Sequence, residues 1–133
     1  LAFILLSGLT SCSVENVDSD TFYLEVLAID SVDIPEYFLL GETSDISITY
    51  TKPNLCYQFN DFIYEIVDNE RSVAIVNTVY PNANCEQTQE RVTVSFNFTV
   101  SGTKPCMFKF YQGEDSEGVD QYYFVEVPVK VPE

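Results

Sequence analysis

The sequence predicts an all-β fold, one antiparallel sandwich of about seven strands. Three observations predict it. From residue 21 onward apolar and polar residues alternate with a period of two. No stretch carries an apolar stripe at the 3.6-residue helical spacing, so no long helix is expected. Polar turn signals recur about every ten residues. The chain has 133 residues, 46% of them apolar, which suits one self-sufficient core. A closed eight-stranded barrel is the runner-up, and it needs one more strand from residues 36–41.

The segments follow in order. Phe22 to Val32 supplies the first strand, and Pro35 ends it as an edge strand allows. Ile46-Ser47-Ile48-Thr49-Tyr50 alternates cleanly and is the second. Phe62 to Val67 and Ser72 to Val79 flank the polar turn Asp68-Asn69-Glu70-Arg71 and form a hairpin. Val92 to Val100 alternates without a miss, as a strand with one wet face does. Cys106 to Tyr111 and Tyr122 to Val131 flank an acidic loop, Gln112 to Gln121. Tyr37-Phe38-Leu39-Leu40 is read as a short strand packed on the core, because an exposed apolar run is a liability.

The passage Phe38 to Glu42 followed by Asp45 to Tyr50 resembles the start of bacterial immunoglobulin-like adhesion and stalk domains. That resemblance implies an immunoglobulin-like arrangement. It is one of architecture, since the chain has no Trp for the antibody-type core signature.

The chain opens on Leu1 to Thr10, an apolar run without charge. It is too short to span a bilayer core, which takes about 20 residues, and has the length of a signal-peptide core. A preceding Met and basic segment are expected in a longer precursor. The run ends in Leu9-Thr10-Ser11-Cys12, which resembles the lipobox of bacterial lipoproteins. The resemblance implies cleavage before Cys12, a diacylglycerol thioether on its sulfur, and acylation of the new amino group by palmitate-type chains. Several acyl chains anchor stably where one is marginal. The expected organisation is a signal peptide over 1–11, a lipidated tether over 12–20 and a sandwich over 21–133, with 133 − 11 = 122 residues left after cleavage. Ser13 after the Cys resembles an outer-membrane destination, and the early acidic residues resemble Bacteroidota surface lipoproteins. Asp30-Ser31-Val32 resembles a Bacteroidota O-glycosylation site. Asn97-Phe98-Thr99 matches an N-glycosylation sequon that a bacterial lipoprotein does not normally use.

Composition excludes several functions. Six Lys and Arg against 21 Asp and Glu give a net charge of −15, so nucleic acid is not an expected partner. The chain has no His, which removes Ser-His and Cys-His nucleophile systems and nearly all zinc catalysis. No enzyme, no cofactor and no metal centre is expected. The charge also repels anionic head groups and favours standing off the bilayer on the tether.

Cys12 being taken by lipid, Cys56, Cys85 and Cys106 remain. If consecutive strands alternate in direction, Cys56 after the second strand and Cys85 before the fifth lie at one end. Cys106, opening the sixth, lies a strand length away, beyond the roughly 7 Å a disulfide permits. The expected bond is therefore Cys56–Cys85. Cys106 shares parity with Phe108 and Phe110 and is expected to be a buried, chemically quiet free thiol, with only Lys104 as a nearby cation in sequence.

The acidic run Glu114 to Asp120 is the one candidate calcium loop. Its spacing is not that of an EF-hand, and a solvated turn is the preferred reading. Nine Tyr and ten Phe permit a sugar-stacking face, with Tyr57, Tyr80, Tyr111 and Tyr122 as candidates. Strand-filling aromatics are the preferred alternative. The whole reads as a lipid-anchored, non-catalytic interaction or scaffolding module of the outer membrane, with an envelope protein as partner. The alternative is a surface receptor for a glycan or calcium. A concave aromatic face would favour the receptor, and a smooth sandwich the scaffold. The end bearing the loops at 35–45, 68–71 and 101–105 is expected to project outward.

Overall fold

The computed structural model describes residues 21–81 and 84–133. The lipobox, Cys12 and the tether lie outside the described residues. The strands are β1 (Tyr23–Leu27), β2 (Ile29–Asp33), β3 (Phe38–Leu39), β4 (Thr43–Lys52), β5 (Tyr57–Val67), β6 (Glu70–Val79), β7 (Glu90–Thr99), β8 (Cys106–Glu114), β9 (Asp120–Val127) and β10 (Val129–Lys130). The chain is an all-β sandwich, and its sheets do not close into a barrel. One sheet holds β5, β6, β1, β8 and β9, and the facing one holds β2, β4 and β7. The short β3 pairs with β10 in parallel and places Phe38 in the core.

Strand β6 organises the larger sheet. One edge pairs with β5 from Tyr57↔Val79 to Val67↔Glu70. The other edge is shared: β1 takes Ile75 to Val79, and β8 runs parallel along Glu70 to Val73. In an immunoglobulin domain the strands corresponding to β5 and β8 are neighbours. Here β6 stands between them, a variation in strand order that leaves β5 as an edge strand among the described residues.

The first predicted strand is two strands. It breaks at Ala28, where the chain leaves β6 for β4. The crossing is tight. Gly113 has φ +91, and a Cβ there would meet the Ala28 Cβ at 3.2 Å. Glycine meets both demands, a left-handed backbone and a close approach. It also lies where β8 slips register against β9 between Tyr111 and Glu114.

Alternation selects the core. Ile46, Ile48 and Tyr50 of β4 face Val73, Ile75 and Val79 of β6 and Phe108 and Phe110 of β8. In β7 the inward Val92, Val94, Phe96 and Phe98 are half-buried. The bulge between Phe59 and Asp61 shifts the phase of β5, so Phe62, Tyr64 and Ile66 turn inward opposite Ile75, Val73 and Arg71. The outer faces differ. On β4 and β7 hydroxyls pair across strands, Thr43 with Thr99 at 2.7 Å, Ser47 with Ser95 at 2.8 Å and Thr49 with Thr93 at 2.8 Å. On the larger sheet Leu24, Val26, Ile63 and Phe124 are exposed.

Cys56 and Cys85 form a disulfide with Cα atoms 5.2 Å apart. Backbone bonds from Leu55 N to Glu86 O and from Tyr80 N to Cys56 O, both 3.1 Å, hold the same end. Tyr23 of β1 pairs with Val79 there, so the chain enters the sandwich at the disulfide end. The bond closes a 29-residue separation, which predicts a loss of about 3 kcal/mol on its removal. The Cys56→Ser/Cys85→Ser double variant should show that loss in urea unfolding, with the strand content of the folded state unchanged.

Candidate functional site

At the opposite end the sheets part. The turn between β5 and β6 and the loop from β7 to β8 flank a cleft of about 850 Å³. Its walls are the inward rings of β5 and β7, and its base is the start of β6 and β8. Phe62 and Phe96 meet edge to face across the sheets, with centroids 5.1 Å apart. Tyr64 lies 6.2 Å from Phe96, and Phe98 reaches Phe108 at 5.3 Å. The rim is polar, with Asn97, Thr99, Ser101 and Thr103 beside Lys104. Among the described residues neither β5 nor β7 has a further partner to draw the sheets together, and the cleft opens between these two edges.

Arg71 is the anomaly in the base. It belongs to the inward row Arg71, Val73, Ile75, Asn77, Val79, so strand geometry points its side chain toward the facing sheet. The guanidinium carbon sits 5.3 Å from the Phe98 ring and 5.8 Å from the Phe108 ring. One terminal nitrogen donates to the Asn69 backbone oxygen at 3.1 Å and to Asn69 Oδ1 at 3.2 Å. The Asn69 amide in turn donates to the Pro105 carbonyl, tying the two loops of the rim together. The Arg71 Nε is buried and has no hydrogen-bond partner among the described residues.

Cys106 forms part of the cleft wall and is itself buried. Burial pushes its thiol pKa up, and the Arg71 charge opposes this only in part. The influential cation is thus Arg71, 35 positions away in sequence. Burial likewise raises Tyr64, against the lowering effect of Arg71. Both groups are therefore held in their neutral, protonated forms.

The other sequence candidates lie elsewhere and apart. Tyr57 is buried at the disulfide end, where its hydroxyl donates to Glu25 at 2.9 Å. Tyr80 at the same end contacts Phe22 at 6.0 Å. Tyr111 and Tyr122 pair edge to face on the outer side of the larger sheet, 5.8 Å apart. The structure does not assemble these four rings into one face. In the acidic loop, Asp115 Oδ1 accepts from the backbone nitrogens of Glu117 at 2.8 Å and Val119 at 2.9 Å. That carboxylate caps its own turn. Among the described residues no three His, Cys, Asp or Glu side chains are placed to hold a metal ion.

The cleft rings were not singled out in the sequence, because Phe62, Tyr64, Phe96 and Phe98 look like any inward row. A usable signal was present. Extending the alternation of β6 backward puts a cation at the position where the next apolar residue belongs. Comparison with known proteins finds no matching family, no matching curated protein and no matching solved structure.

Two outcomes follow from the protonation pattern. The Cys106 thiol should react with a disulfide reagent at least about a hundredfold more slowly in the folded protein than in urea, because access needs opening of the core. Burial also raises Tyr50, and burial followed by Glu25 raises Tyr57 further. The unfolded chain ionises these phenols near 10.0, the ordinary value, whereas the fold keeps them neutral. Their stabilisation is whole below that pH and is lost as pH rises through the higher folded values. Urea midpoints should be flat up to about pH 10 and fall above it, with tyrosinate absorbance rising only as the chain unfolds.

Proposed function

We propose that this chain is a lipid-anchored protein of the bacterial cell envelope, held at the outer membrane through Cys12, and that it works as a non-catalytic binding module. The observation that carries the reading is the cleft at the end of the sandwich remote from where the chain enters it. Strand β6 runs from the disulfide end to the cleft, and its ten residues span about 30 Å. A tether entering at the disulfide end therefore presents the cleft away from the membrane. The concave aromatic wall favours a receptor for a small ligand over a smooth scaffold.

The non-catalytic part is supported by what the cleft does to its own groups. Cys106 and Tyr64 are biased to their protonated forms, and neither then serves as nucleophile or general base near neutrality. Arg71 is a permanent cation, suited to holding a ligand.

A protein partner in the envelope is the second reading. The outer face of the larger sheet favours it, with Leu24, Val26, Ile63 and Phe124 exposed where the facing sheet carries paired hydroxyls. Exposed apolar faces of this kind mark contact surfaces.

The anchor and the binding surface are tested separately. In bacteria, intact mass should show a diacylglycerol thioether at Cys12 with residues 1–11 removed, and Cys12→Ala should move the protein out of the membrane fraction. An unmodified thiol on an uncleaved chain would overturn the anchoring. For the binding surface, amide shifts induced by envelope extract should map to residues 61–71 and 96–106. Shifts confined to Leu24, Val26, Ile63 and Phe124 would select the outer face instead.

A further inference from the structure

We propose that the cleft receives an organic carboxylate with an apolar body, its carboxylate on the Arg71 guanidinium and its body between the β5 and β7 rings. This rests on the reading of the cleft as a ligand site and adds the ligand's chemistry.

The charge makes the first half of the argument. Arg71 is half-buried, yet neither ion pair among the described residues includes it. Those pairs are Lys52 with Glu90 at 3.4 Å and Lys109 with Glu70 at 3.5 Å. In a chain with 21 acidic residues and 6 basic ones, a half-buried cation without a carboxylate goes against the prevailing charge. Its contacts are two aromatic faces, the neutral oxygens of Asn69 and the Tyr64 hydroxyl, which burial keeps protonated. Such contacts compensate a desolvated guanidinium less well than an anion does. The cleft-lining carboxylate, Asp61, belongs to the outward row of β5, and its Oδ1 accepts from the Phe62 backbone nitrogen at 2.7 Å. Lys104 at the rim adds a second positive charge on the same opening.

The walls make the second half. A volume of about 850 Å³ is far more than a bare anion fills and lies within the usual range for small organic ligands. The lining around the guanidinium is largely phenyl and aliphatic, with the Asn69 amide and the Tyr64 hydroxyl beside it and the other hydroxyl and amide groups toward the rim. The rings meet each other edge to face, at 65° for Phe62 and Phe96. They line a slot and do not form a flat platform. A hydroxyl-covered sugar would leave its polar groups unpaired against that slot. An aryl or alkyl body buries apolar surface there, and its carboxylate matches the planar guanidinium.

The test is an amide-shift titration of the full chain carrying Cys12→Ser, using 3-phenylpropionate and octanoate, their primary amides, acetate, inorganic phosphate and maltotriose. The two longer carboxylates should shift Arg71 and the segment 96–104. They should bind at least about tenfold more tightly than their amides, the discrimination expected of a charge-assisted pair. Acetate and phosphate, lacking a body, should bind more weakly than either. Arg71→Gln should abolish the preference for acid over amide, and Arg71→Lys should restore part of it. Lys104→Gln, at the exposed rim, should weaken acid binding without removing the preference, which keeps the test valid if the Arg71 variants do not fold. Equal binding of acid and amide, a preference that survives Arg71→Gln, shifts confined to the outer face, or no binding of either carboxylate at millimolar concentration would each overturn the inference. Maltotriose bound in the cleft alike by the unsubstituted chain and Arg71→Gln would overturn it too, while leaving the cleft as a ligand site.

Discussion

Strand β6 has two edges and serves three partners, and most of the molecule follows from that constraint. Its β5 edge is filled along the whole length. The other edge must accommodate β1 at one end and β8 at the other. Because β1 occupies only Ile75 to Val79, it has to leave the sheet at Ala28. The chain then continues as β2 in the facing sheet, which ties the two layers together covalently. That crossing is why Gly113 is needed where β8 passes Ala28. A side chain at that point would be strained by the positive φ and would press on the Ala28 methyl.

The same arrangement opens the cleft. A strand placed between β5 and β8 pushes β5 outward, where among the described residues it has no further neighbour. The edge strand β7 of the smaller sheet also lacks one. Near the disulfide end, cross-layer packing is dense and includes a buried polar pair, Tyr50 donating to Asn77 at 3.3 Å. Near the other end, the inward position of β6 holds Arg71 in place of an apolar residue, and the guanidinium is bulkier and more costly to desolvate. Cation–π contacts with Phe98 and Phe108 and the oxygens of Asn69 hold the charge in place without neutralising it. The strand order therefore accounts for the opening of the cleft, and one cation in an apolar row for its electrostatic sign.

The strands themselves were legible because a period of two is a local property. Val92 to Val100 and Ile46 to Tyr50 declare their faces with no reference to anything distant. The disulfide was legible by an extension of the same logic, since alternating strand direction places Cys56 and Cys85 at one end and Cys106 at the other. The break at Ala28 was not, because Phe22 to Val32 is apolar enough to read as one strand whichever sheet it joins. The phase change in β5 was hidden in a similar way: the bulge at residue 60 inserts a residue, and alternation counted across it assigns Tyr57 and Tyr64 to opposite faces.

Spacing settled the class of fold and the wet and dry faces of the longest strands, because each is carried by residues adjacent in the chain. It also carried the resemblance at Leu9 to Cys12, which no folded contact bears on. Which strands lie side by side, and therefore where the layers part, came from competition among distant segments for the edges of β6. Arg71, Phe98 and Cys106 are separated by up to 35 positions and become neighbours only through that pairing. A cation at a sequence position says nothing about its counter-charge until the backbone has decided what faces it.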